Sequence, residues 1–125
     1  MFLTVLENLQ YCEKKGCIFI PDWTNTSYTD KAYGYNAWDY YFEPISGHTL
    51  EDVERGNNRL IRVAWNRSQF EMKPLKINGK SLTKIEAYNY YIKKYIKVRN
   101  GITGKIDSFY DTKMKGCNVL GAHIR

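Results

Sequence analysis

The stretch GCNVLGAHIR, residues 116–125, decides how the chain is read. Asn118-Val119-Leu120-Gly121-Ala122 is lean and apolar, which is the composition of an inner parallel strand. His123 and Arg125 lie two residues apart, so on an extended segment their side chains project from one face. The stretch predicts a strand over 118–124 with a polar tip, and an open α/β sheet binds ligands at such carboxyl ends.

Moving outward, a second buried strand is expected at Cys17-Ile18-Phe19-Ile20, ended by Pro21-Asp22. Before it, Phe2, Val5, Leu6, Leu9 and Cys12 recur at helical spacing. Lys14 and Lys15 suit a last turn and Gly16 a stop, so the pattern predicts a helix over about 3–15. Residues 24–36 read as a polar loop. NAWDYYFEP (36–44) reads as a short aromatic helix capped by Asn36 and closed by Pro44.

Thr49 to Arg55 opens with a capping residue and acidic side chains, so a short helix is expected. RLIRVAW (59–65) reads as a strand. Residues 66–80 read as loop, with Asn78-Gly79 a turn signal. The strongest helical pattern runs from Ser81 to about Arg99, with Leu82, Ile85, Tyr88, Ile92, Tyr95 and Ile96 on its apolar stripe. A further helix is expected over 103–115, stopped by Gly116. Together these elements predict a single α/β domain over 1–125, with an open, mainly parallel sheet flanked by helices.

Composition limits the function classes. At 125 residues, 43% hydrophobic and 26% charged, the chain is long enough for a real core and is not a disordered tail. A net charge of +6 favours anionic partners such as phosphates, although a solvated basic surface with no partner is the better account of the charge taken alone. Cys12, Cys17 and Cys117 form no CxxC pair, so neither a disulfide framework nor a zinc site is expected, and a reducing compartment is. Residues 1–10 lack the basic segment of a signal peptide, and no apolar run approaches membrane-spanning length. A cytoplasmic location is therefore expected, with membrane contact at most peripheral, through the basic face Lys93-Lys94-Lys97-Arg99.

An arginine at a strand tip can hold a phosphate through paired hydrogen bonds, and a neighbouring histidine can donate to another oxygen. His-x-Arg alone recurs by chance, and a structural strand end explains it too. The order GCIFIPDW, then NAWDYYFEP, then a helix pair, then NVLGAHIR resembles the amino-terminal half of the fucosyltransferase superfamily. That group includes α-1,6-fucosyltransferases, the nodulation type among them, and protein O-fucosyltransferases.

The resemblance implies a two-domain GT-B fold of which this chain is the acceptor-side half. It also implies GDP-fucose as donor, a glycan hydroxyl as acceptor, and inversion at the sugar carbon. His123 and Arg125 match the family's first signature, where the arginine grips the donor pyrophosphate; the Thr-Asp that follows it in the family, the nucleotide-binding half and the catalytic base are not in this stretch. Arginine would take the place of a divalent ion, so no metal cofactor is expected, and the chain has no Asp-x-Asp pair.

Asp22, Trp23 and Asn36 are candidates for an acceptor cleft; a turn-forming Asp, a packed Trp and a helix cap account for the same residues. Asp22 and Glu43 are available carboxylates with capping or salt-bridging roles, and His48 reads as a surface residue. Two other readings stay open. One is a basic, tyrosine-rich binding module, for which no nucleic-acid motif is visible and nucleic acid is not expected. The other is an inactive fragment associating with a missing half or with its own copies.

Overall fold

A computed structural model describes residues 2–56 and 71–118. The helices are α1 (Phe2–Lys15), α2 (Trp38–Tyr41), α3 (Leu50–Arg55), α4 (Lys84–Tyr95) and α5 (Asn100–Phe109), and α5 runs on into a wider π-helical turn, Tyr110–Met114. The only sheet among the described residues is the antiparallel hairpin β1 (Leu75–Ile77) and β2 (Lys80–Leu82). The expected open, mainly parallel sheet is therefore overturned: the described chain is helical, with one short hairpin.

The expected strand at 17–20 is a case in point. Cys17 to Ile20 is irregular, Ile18 is 65% exposed, and only Phe19 packs against the core. A short apolar run becomes a strand only where a neighbour completes its ladder, and no described segment pairs with this one. The expected strands at 59–65 and 118–124 lie wholly or almost wholly outside the described residues.

The helices form where the periodicity predicts them. Val5, Leu6 and Leu9 are the buried face of α1, and each contributes about 1.5–3 kcal/mol by leaving water. α1 stops at Gly16, whose φ of +67° suits glycine. α4 begins later than expected because Ser81 and Leu82 belong to β2. Thr83 is the cap, accepting from the Glu86 amide while Glu86 reaches back to the Thr83 amide. Ahead of it, Asn78 and Gly79 both take positive φ, 50° and 80°, as a two-residue hairpin turn of the mirror-image type requires.

The core is Val5, Leu6, Leu9, Trp38, Met72, Ala87 and Tyr91, sealed between α1, α2 and α4. Aromatic rings cap one end: Trp38 stacks on Phe2, lies 4.4 Å from Phe42 and meets Trp23 edge-on at 5.1 Å. Gln10 fastens the segment before the hairpin, its side-chain amide donating to the Lys73 carbonyl (2.9 Å) and accepting from the Lys73 N–H (2.7 Å).

Candidate functional site

Among the residues expected from sequence to form a site, His123 and Arg125 lie outside the described residues. Asp22, Trp23 and Asn36 are brought together. Asn36 is buried and bridges three backbone groups. Its Oδ1 accepts from the N–H of Trp23 (2.9 Å) and of Trp38 (3.3 Å), and its Nδ2 donates to the Pro21 carbonyl (3.0 Å). The expected cap falls one residue later, at Ala37, which makes no side-chain cap bond. Asn36 bonds the first helical N–H, and its other two bonds fasten the Pro-Asp-Trp segment to the aromatic helix. Asp22 Oδ1 accepts from the Thr24 N–H and hydroxyl, a local turn. These three residues hold loop to helix, and Trp23 adds its ring to the core edge.

A second grouping was not expected from sequence. After α2, the segment 42–43 runs antiparallel to 97–98. Phe42 bridges Val98, the Glu43 N–H donates to the Lys97 carbonyl (2.9 Å), and the Arg99 N–H donates to the Tyr41 carbonyl (2.9 Å). Arg99 Nε also donates to the Phe42 carbonyl (3.2 Å). This short pairing sets Glu43 beside Arg99 and the start of α5. Between them opens a cleft of about 420 Å³ lined by Tyr40, Glu43, Arg99, Asn100 and Lys105.

Tyr40 is pinned at this cleft. Its hydroxyl accepts from the Asp30 N–H (3.0 Å) and donates its one proton to the carbonyl of Asp30 (2.8 Å) or Gly34 (2.9 Å). Two neighbouring rings extend the aromatic surface: Tyr33 lies 6.0 Å from Tyr40, and Tyr41 lies 6.1 Å from it. Tyr33 is 76% exposed and Tyr41 47%. Asp39, next to Tyr40, feels the Arg99 charge; burial raises its carboxyl, while Arg99 and a hydrogen bond from Asn36 oppose the rise. Glu43 and Arg99 are far apart in sequence, and only the tertiary pairing reveals their proximity.

A third cluster joins helices. Glu13 accepts from the hydroxyls of Tyr91 (2.7 Å) and Tyr95 (2.9 Å) and from Lys94, whose ammonium also lies over the Tyr90 and Tyr95 rings. Nearby, the Tyr88 hydroxyl donates to Glu7 (2.9 Å); burial, then the bond to Glu7, push its pKa up to about 12. These groups are saturated by one another and staple α1 to α4. Lys94, still exposed, is thereby paired with Glu13 instead of standing as a purely solvated charge.

Among the described residues no three His, Cys, Asp or Glu side chains are grouped to hold a metal ion, and no helix is long and apolar enough to cross a membrane. The cysteines at 12, 17 and 117 are unpaired. No protein-family model, curated protein or solved structure matches the chain.

Proposed function

We propose that the chain is the acceptor-side part of a fucosyltransferase-like sugar transferase, moving a sugar from a GDP-sugar to a glycan hydroxyl with inversion. The observation that carries the reading is the His123-x-Arg125 pair directly after the apolar run 118–122, in the order of blocks that marks the resemblance. In support, the two upstream blocks of that resemblance, Pro21-Asp22-Trp23 and Asn36-Ala37-Trp38, are joined by Asn36 into one packed unit. The parallel sheet that the resemblance implied is absent among the described residues, so the reading rests on the sequence blocks alone.

In this role Arg125 neutralises the charge that develops on the GDP leaving group, and His123 donates to a second oxygen. Polypeptide bearing the nucleotide-binding half completes the site and supplies the carboxylate that takes the acceptor's proton. The test is calorimetric titration of the protein in its full natural length with GDP and GDP-fucose. Saturable binding is expected. Arg125→Ala should weaken it by about thirtyfold or more, the cost of removing one partner of a desolvated charge pair. Absent binding, or an unchanged affinity in Arg125→Ala, overturns the reading.

A further inference from the structure

We propose that the cleft bordered by Tyr40, Glu43, Arg99 and Lys105, with the adjoining rings of Tyr33 and Tyr41, binds a neutral saccharide chain. Its use as the acceptor seat rests on the transferase reading above; the binding itself does not.

Three features of the cleft point to this ligand class. The first is the group of rings. A pyranose presents one face of C–H bonds and a girdle of hydroxyls, so it covers an aromatic face while its hydroxyls stay bonded at the edge. Tyrosine suits this because its ring is apolar and its hydroxyl wet. Tyr40 lines the cleft, and the Tyr33 and Tyr41 rings stand 6.0 and 6.1 Å from it, tilted by 53° and 56°, so exposed ring surface adjoins the cleft for further sugar units.

The second is the polar lining. Hydroxyls both donate and accept. Glu43 offers acceptor oxygens, while Arg99 and Lys105 offer donors, and Asn100 offers both. A phosphate would find the two cations but would also face the Glu43 carboxylate, so the mixed lining favours a neutral polyol over an anion.

The third is preorganisation. The Tyr40 side chain is held by Asp30 and Gly34 and that of Arg99 by the Phe42 carbonyl, while the pairing of 41–43 with 97–99 fixes the backbone that carries Tyr41 and Glu43. Side chains already fixed lose little freedom on binding. Asn36, Trp23 and Asp22 do not line this cleft, and their bonded atoms are turned to backbone and to Thr24.

The experiment screens the protein against an array of neutral oligosaccharides and follows the strongest binder by titration and saturation-transfer NMR. At least one neutral oligosaccharide is expected to bind. Tyr41→Ala should weaken it by about tenfold, the worth of one ring contact, and Glu43→Gln by a lesser factor. Both variants should retain the wild-type melting curve; should Tyr41→Ala unfold, Tyr33→Ala gives the same reading at a more exposed ring. No binder on the array overturns the proposal, as do variants within about twofold of wild type. Binding of inorganic phosphate without any saccharide also overturns it. GDP affinity is read separately: saccharide binding without GDP binding sinks the transferase reading and leaves this one, and the converse removes only the cleft.

Discussion

The Tyr91 hydroxyl donates to Glu13 Oε2 across 2.7 Å, joining residues 78 positions apart in sequence. Tyr91 is almost fully buried, at 1% exposure, and its ring is part of the core. The bond lets a polar end leave water without an unsatisfied hydroxyl, so the packing of α1 on α4 and the Glu13 network are one unit.

Removing that hydroxyl separates the two contributions. Tyr91→Phe keeps the ring and loses a bond to a carboxylate, which should cost about 1.5 kcal/mol. The measurement is the urea midpoint: a lower midpoint with unchanged slope is expected, and an unchanged midpoint contradicts the role given to the bond.

Stability should form a plateau bounded by acid and by alkali. Burial raises the Glu13 carboxyl, but bonds from Lys94, Tyr91 and Tyr95 together hold it below its ordinary 4.5. Asp52 and Glu86 are also lowered, first by bonds from the Thr49 and Thr83 backbone. Carboxyls lowered in the fold stabilise it above their unfolded values, and that contribution disappears as pH falls through the folded ones.

The alkaline limb comes from the phenols. Tyr88, Tyr91 and Tyr95 are raised above 10.0, first by burial and then by their carboxylate partners. Groups raised in the fold contribute fully below the unfolded value, and the contribution is lost as pH climbs through the folded one, for Tyr88 about 12. Burial also raises the Cys12 thiol above its ordinary 9.0, so urea midpoints measured against pH should be flat from about 5 to 9 and fall on either side. Glu13→Gln should shallow the acid limb.

Asn36→Ala should be the most damaging polar truncation in the molecule's aromatic end. It strands the N–H groups of Trp23 and Trp38 and the Pro21 carbonyl, at a total of about 3 kcal/mol. Tryptophan fluorescence should shift to the red, because Trp23 and Trp38 lose their fastening together. A variant with native emission and native stability would contradict the bridging role.

The start of α4 offers a smaller and cleaner change. Thr83→Ala removes the side-chain half of the capping box and should cost about 1 kcal/mol. Thr83→Ser should recover most of it, which a difference in melting temperature between the two variants will show.

Helices were legible because their signals are local. The stripe Phe2-Val5-Leu6-Leu9 and the cap Thr49 act within a few residues, and the structure keeps them. Strands were not, because a strand is defined by its partner. Cys17-Ile18-Phe19-Ile20 has the composition of a buried strand and finds no ladder among the described residues. Leu75-Lys76-Ile77 and Lys80-Ser81-Leu82 pair because Asn78-Gly79 folds them back, a signal present in sequence as a turn and incomplete without its flanks. The far end of α4 departs from its apolar pattern for the same reason: Ile96 to Arg99 leaves the helix to lie beside Tyr41-Phe42-Glu43. Of the cleft, Glu43 and Arg99 were visible as charges, and nothing local joined them.

The pairing of α1 with α4 also bears on how the chain comes off the ribosome. The first helix emerges with Val5, Leu6 and Leu9 bare, and its lid, Ala87 and Tyr91, is translated much later. Until then that oily stripe must be shielded by a chaperone or endured, so nascent chains stalled before residue 84 should be sticky where finished ones are not.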